Sequence, residues 1–596
     1  MKKVLFYIFM TALFSGCEDV LDKKELNAVD GQDIWNDITL ASLYLNNVYG
    51  SALPTFGGTE STNISDESVG SGTGYMMYGM LTKDESYGNF TSNKWYIIRE
   101  LNILLDGVPD GSIETEDKDL LLGQAYFLRA WTYWEMVKYY GGVPLVLTVF
   151  DPARPEDYLV GRNSAHECIA QIIDDLDNAI ELLPADWPEE RGRVTRAAAA
   201  ALKGRVLLFY ASPQFNPENI GQRWQDAYDA NAEAKTICEE DGHALYSNYA
   251  KIFLDEAKAN EAIFYTIYDA ANKYHGYENS VRPRSVSNQK DAVSSPPNWE
   301  FVKSYPMYDG LPAHGHPEYD SVYYWKNRDP RFYATIAYNG MVWNFEGTAN
   351  RIQWTYLGNS VEPSNTAQGA TPTGFYLKKN IDTSIPVTET PYGPTDWIEI
   401  RLAEVYLNLA ECAAELNLID EARNLLILIR ERAGIEAGDG SYGITASGKE
   451  EMVEAVMFER KIELAFENKR HWDLRRRNMF VNVLNNTPKI NGTKRHGISI
   501  ELDTAYICSL DPGVRDKKDS VFAHFENLIM DTVDLDEYYD TFFNTTYNVE
   551  MDPVEINFLQ PQYNFYYIPV SEMEKNINMQ QTIYWTEVNP FDPLAE

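Results

Sequence analysis

Cysteine is scarce: Cys17, Cys168, Cys238, Cys412 and Cys508 are the five in 596 residues. They stand far apart and lack the close spacing of a zinc site, so the chain assigns no metal to them. Cys238 and Cys412 fall in helical patterns, where a small buried thiol is the natural reading. Positive charge is also short, with 51 Lys plus Arg against 89 Asp plus Glu and a formal net charge of −38. That excess repels phosphate backbones and anionic lipid surfaces, which argues against nucleic acid as a partner. There is no P-loop, no G-x-G-x-x-G on a strand-to-helix turn and no G-x-S-x-G elbow, so no cofactor and no standard catalytic device follows from motifs. The apolar run at the start, Val4 to Phe14, has eleven residues. A spanning helix takes about 20.

That run reads instead as an export signal over 1–16, with Lys2 and Lys3 before it and the small residues Ser15 and Gly16 after it. A small residue directly before Cys17 has the shape of a bacterial lipobox, although Phe14 stands where Leu is usual and Leu13 lies one place further back. Cys17 is the expected lipidation site, which anchors the mature chain to a membrane without spanning it. Ordinary secretion with an incidental Cys17 is the alternative.

A length of 596 residues implies several structural units or one large solenoid with insertions. Helical periodicity is plain in AHECIAQIIDDLDNAIELLP, where Ile169, Ile172, Leu176 and Ile180 recur at three and four until Pro184. Its partner lies upstream in AYFLRAWTYWEMVKYYGG. A further pair starts at VTRAAAAALKGRVLLFYASP, with Thr195 as N-cap, and continues in WQDAYDANAEAKTICEE. IRLAEVYLNLAECAAELNLIDEARNLLILIRERAG fits tetratricopeptide spacing, with small Ala410 and Ala422 for close helix approach and Gly434 as the stop. Weaker segments at 36–48 and 93–107 bring the count to four helix pairs. Their uneven intervals predict a superhelix interrupted by insertions: pairs one to three within 17–264, a loop-rich insertion over 265–397, the fourth pair and a following helix over 398–480, and a C-terminal region over 481–596.

Several blocks resemble the SusD/RagB outer-membrane lipoproteins. AYFLRAWTYWEMVKYYGGVPLV, GRVTRAAAAALKGRVLLFYASP, NRDPRFYATIAYNG, IRLAEVYLNLAECAAE, FERKIELAFENKRHWDLRR and YYIPVSEMEKNINMQQ occur in that family's order and run nearly end to end. The resemblance implies a mainly α fold, a tetratricopeptide-type right-handed helical superhelix with large loop-rich insertions. It further implies a non-enzymatic, lipid-anchored protein of the outer membrane, facing the cell exterior, that captures oligosaccharides and works with a SusC-like TonB-dependent transporter. Glu18 and Asp19 after Cys17 look like such a family's surface-export signal. Peptide capture, the trade of one branch of the family, is the alternative within the binding class. A surface glycoside hydrolase or a purely structural partner subunit are alternatives outside it.

Tyrosine is abundant, 40 against 25 Phe, and a ring with a polar tip suits a half-exposed surface that meets a polar ligand. Sugar rings stack their C–H faces on such rings while hydroxyls seek a few polar side chains. Gly-rich SDESVGSGTGYMMYGMLTKDESYGN holds Tyr75, Tyr78 and Tyr87; YDAANKYHGYENS holds Tyr274 and Tyr277; RIQWTYLG holds Trp354 and Tyr356. Tyr75, Tyr78, Tyr274, Tyr277 and Trp354 are the candidate ligand-binding residues. Trp131, Trp134, Trp224 and Trp472 sit in helical blocks and read as core. Glu459, Glu463 and Glu467 lie four residues apart on one helix face, where they point the same way instead of facing each other across a scissile bond. Arg460, Lys461 and Arg475 to Arg477 are near in sequence and favour structural ion pairing. AHGHPEYD, with His314, His316, Glu318 and Asp320, reads as a turn-rich loop without metal.

Overall fold

The computed structural model describes residues 33–57, 60–70, 74–83, 87–151, 153–255, 260–289, 293–359, 371–510 and 535–595. Cys17 and the export signal lie outside the described residues. Among these residues no helix is long and apolar enough to cross a membrane.

Helices α1 (Ile38–Ala52), α2 (Ser92–Asp110), α3 (Thr115–Tyr140), α4 (Ala165–Leu182), α5 (Arg196–Ala211) and α6 (Gly221–Glu240) follow one another, each packed on the next. Strand β1 (Ala262–Thr266) then leads into the insertion, and the chain returns through β2 (Trp397–Arg401), which runs antiparallel to β1. This pairing brings the two ends of a 130-residue excursion together, so the superhelix resumes directly at α7 (Leu402–Glu415), α8 (Ile419–Ala433) and α9 (Lys449–Glu463). The short α10 (Arg470–Arg476) follows, and β3 (His496–Leu502) pairs antiparallel with β4 (Phe543–Glu550). The four expected pairs are α1/α2, α3/α4, α5/α6 and α7/α8.

Local chemistry sets the ends. In α4, Ser164 Oγ accepts from the Glu167 amide while the Glu167 carboxylate accepts from the Ser164 amide, a capping box. Thr195 caps α5 through the Ala198 amide, and Gly434 ends α8 with a left-handed φ of 84°. Small residues let helices close up: Ala197 to Ala201, Ala410 and Ala422 are buried. A Cβ on Gly204 of α5 would stand 2.4 Å from Asn231 Oδ1 of α6, so the two axes approach closer than any side chain there would allow. Cys168, Cys238 and Cys412 are buried free thiols.

One core fills the helical half. A second lies in the insertion and the β3/β4 region and is rich in aromatics, among them Trp299, Tyr305, Trp325, Phe375 and Phe543. The insertion therefore has an interior of its own.

Candidate functional site

The insertion's returning ends position an aromatic platform. His275 donates its amide to the Gly393 carbonyl at 3.1 Å and accepts the Gly393 amide at 2.8 Å. This two-bond bridge sets the preceding residues side by side: Tyr274 and Tyr392 meet edge to face with ring centroids 5.0 Å apart. Both remain open to solvent, Tyr274 at 49% and Tyr392 at 47% exposure. Gly393 is required here, since a Cβ would come within 2.8 Å of His275 Cε1. Asp269 fixes the approach by accepting the Ala271 and Asn272 amides.

Beneath the platform the rings are stacked inward. Phe56 stacks on His275 with centroids 3.7 Å apart and planes inclined by 29°, and packs on Tyr277, Trp397 and Tyr268. Thr395 O is 2.9 Å from His275 Nε2, which therefore carries the proton, while Nδ1 accepts the Tyr277 amide. Burial pushes His275 down to about 4, so the ring is neutral at neutral pH. Tyr277 is half-buried and belongs to this supporting layer. Burial raises its hydroxyl well above the ordinary tyrosine value.

Tyr75 and Tyr78 are held by another part of the chain. A single helical turn, Gly74–Met77, buries Met76 and Met77 and leaves Tyr75 58% exposed. Asn557 donates its amide to Met77 O at 2.7 Å, and Tyr563 Oη accepts the Leu81 amide at 3.0 Å. Tyr78 donates to Asp552 Oδ1 at 2.7 Å, and Asp552 pairs with Arg495 at 2.7 Å. Burial, then the Asp552 carboxylate, pushes Tyr78 up to about 12. Tyr78 is thus a tether and Tyr75 the ring that a ligand can reach. Tyr87 is half-buried, edge-on to Tyr566 at 4.9 Å.

Trp354 corrects the sequence reading. It is 2% exposed and packs against Tyr356 and Phe543 in the second core, so its ring offers no face to a ligand. The strand pairing of Ile352–Gln353 with Met341–Val342 folds this segment into the interior, which its polar, Gly-flanked sequence disguises. Tyr392 is the residue sequence reasoning missed; its setting between Pro391 and Gly393, in a polar stretch, was the available signal.

The three glutamates are structural, but their partners are not the neighbouring basic residues. Arg331, from the insertion, reaches Glu459 at 2.6 Å and Glu463 at 2.9 Å, and also pairs with Asp329. Arg401 of β2 bonds Glu261, Glu463 and Glu467 at 2.7–2.9 Å, Arg430 reaches Glu459, Arg432 reaches Glu261 and Glu463, and Lys379 reaches Glu467. Burial alone would raise Glu463, yet the guanidiniums of Arg432, Arg401 and Arg331 hold it well below the usual carboxylate range. Arg460 turns instead to Asp473, Lys461 to Asp66 and Arg476 to Glu411. Trp131, Trp134 and Trp224 are core, whereas Trp472 is only half-buried. In the His-bearing loop, His316 Nε2 lies 3.1 Å from Asp309 Oδ2, and Asp320 caps the Val322 amide. Among the described residues, no three His, Cys, Asp or Glu side chains converge as a metal site would require.

Two family models match this chain: the SusD family over residues 260–585, and one described as starch-binding, associating with outer membrane, over residues 21–208. SusD-like protein P25 of Formosa agariphila is 23% identical over 515 residues, covering 81% of this chain and 91% of that protein. Among solved structures, a SusD-like protein from Bacteroides fragilis superposes with a TM-score of 0.70 at 25% identity, covering 94% of this chain and 98% of that one. A SusD-like carbohydrate binding protein from the same organism gives 0.68 at 23% identity over 91% of this chain and 99% of its own. A laminarin binding SusD-like protein gives 0.58 at 19% identity over 92% and 99%. Since the SusD family model alone matches more than half of the sequence, the chain belongs to the SusD family.

Proposed function

We propose that this protein is a non-enzymatic, cell-surface lipoprotein of the outer membrane that captures oligosaccharides and delivers them to a SusC-like TonB-dependent transporter. The observation that carries the reading is the exposed Tyr274–Tyr392 pair, two rings at 5.0 Å fixed by a backbone bridge and backed by a second aromatic layer. Rigid rings set in the surface stack on the apolar faces of sugars with little ordering cost. Family membership, the relatives named for carbohydrate or laminarin binding, and the matched outer-membrane description support the substrate class and the location. Tyr75 on its anchored turn is proposed as a separate contact for a longer chain.

Isothermal titration with laminari-, malto- and xylo-oligosaccharides beside a peptide panel tests the reading. Saturable heat with a glycan, weakened at least about tenfold (~1.4 kcal/mol) by Tyr274→Ala with Tyr392→Ala, is expected. Saturable heat with peptides alone would reverse the ligand assignment, and reducing sugar released from the bound glycan would reverse the non-enzymatic one. Cys17→Ser is expected to move the protein out of the membrane fraction.

A further inference from the structure

The rings of the Tyr274–Tyr392 platform are carried by two segments, 267–275 and 386–396, whose charged side chains are Asp269, Lys273, Glu389 and Asp396 beside the neutral His275. Asp396 is buried and paired with Arg191 at 2.6 Å, so it brings no free charge to the surface. Lys273 places its ammonium 5.2 Å from the centroid of the buried Tyr268 ring, in the layer beneath the platform, where the Asp396 charge reaches it. Glu389 is exposed and Asp269 partly so. The amides of Asn272 and Ala271 donate to Asp269 and hold its carboxyl below the usual carboxylate value, so it is charged.

Glu389 is placed by the helix it sits in. Val387–Tyr392 is one 3-10 helix, whose period of three residues brings side chains at i and i+3 into line. Glu389 precedes Tyr392 by three, so the carboxylate stands on the same edge as the ring. The helix is pinned along its length: Glu346 Oε1 accepts the Val387 amide at 2.8 Å, Thr390 Oγ1 lies 3.0 Å from Asn279 Oδ1, and Gly393 follows at once with its bridge to His275. Glu346 is exposed as well and adds a carboxylate at the start of the helix. The Glu389 carboxylate itself has no hydrogen-bond or ion-pair partner among the described residues.

The rest of the molecule does not offset this charge. Among the described residues, buried Lys and Arg are matched almost one for one by buried Asp and Glu. The excess of 89 acids over 51 bases therefore lies outside that interior. A sugar hydroxyl that donates to a free carboxylate makes a charge-assisted bond, which orients a ring stacked on the adjacent tyrosine. A uronate carboxylate or a sulfate ester in the same place meets like charge instead.

We infer that the platform selects uncharged glycans and rejects those bearing uronate or sulfate, with Glu389 setting the preference by accepting a hydroxyl of the sugar stacked on Tyr392. The inference rests on the capture reading above and narrows its substrate class.

Isothermal titration with matched chains tests it: laminari- and maltohexaose against the same chains with their primary hydroxyls oxidised to carboxylates, and xylohexaose against a xylo-oligosaccharide bearing glucuronate branches. Each is titrated at about 0.01 M and about 1 M salt, where the screening length is about 30 Å and about 3 Å. For an uncharged chain that binds, the charged counterpart is expected to bind at least about tenfold more weakly at low salt, with the gap closing at high salt. A charged chain that binds as tightly as its uncharged counterpart at low salt overturns the inference and leaves glycan capture standing. No saturable heat with any chain of either kind overturns the capture reading and the inference with it. Glu389→Gln keeps the shape of the side chain and removes its charge; it is expected to weaken the uncharged chain and strengthen the charged one, so that their affinity ratio falls toward one. Glu389→Lys is expected to invert the low-salt preference. The side chain is exposed, so neither substitution disturbs the core. An affinity ratio unchanged in both variants overturns the role of Glu389.

Discussion

Glu67 shows how one carboxylate can set a pH response. It is 1% exposed, accepts the Phe466 amide at 2.8 Å and is pushed up to about 7, chiefly by burial. The unfolded chain ionises this group near 4.5. Its contribution is therefore fully present below pH 4.5 and is lost as pH rises through about 7, by on the order of 3 kcal/mol for a shift of this size. Glu67→Gln can keep an acceptor for the Phe466 amide and removes the titration. Urea unfolding is expected to show little difference between variant and parent at pH 4.5 and a more stable variant at pH 8; equal stability at both values would refute the raised value. At this scale the sequence was least legible. Tyr274 and Trp354 both lie in polar, Gly-bearing stretches, yet one is 49% exposed and the other 2%. What separates them is a backbone bridge to Gly393 in one case and a two-residue strand pairing in the other, and neither leaves a local pattern.

The helix pairs carry the opposite lesson. Periodicity, capping residues and the stop at Gly434 are written locally, so α3 to α8 could be read in advance, as could the close approach at Ala410 and Ala422. Gly204 was not legible: its size matters because Asn231 of the next helix lies over it and donates to Gly204 O at 2.9 Å. Gly204→Ala gains up to about 1 kcal/mol of helix propensity, but overpacking a tight contact costs about 1–3. A net loss of about 1 kcal/mol is expected in thermal or urea unfolding. Asn231→Ala in the Gly204→Ala background is expected to be less destabilising than in the parent, because the clash has been removed with it. Additive losses would show that the two side chains do not meet.

Across the whole molecule, the insertion is locked to the superhelix by charge. Arg331 from the insertion and Arg401 from β2 converge on Glu463, with Arg432 from α8 completing the set. The sequence displayed the glutamates four apart and a basic run beside them, but long-range partners separated by 62 and 132 residues are invisible to any local reading. Glu463→Gln leaves three guanidiniums short of a buried counter-charge, a change that costs about 3–5 kcal/mol when a buried pair is broken. The folded-state value of Glu463 is depressed, so its contribution is present above about pH 4.5 and is lost as acid protonates it, the reverse of Glu67. Stability measured from pH 7 down to pH 3 is therefore expected to fall more steeply for the parent than for Glu463→Gln. At pH 7 the variant's loss is expected in the insertion as well as in the helices, since the network spans both. Hydrogen exchange separates the cases: deprotection on both sides of the β1/β2 pair confirms a shared lock, whereas deprotection confined to α9 would show that the insertion holds to the superhelix by its apolar contacts alone.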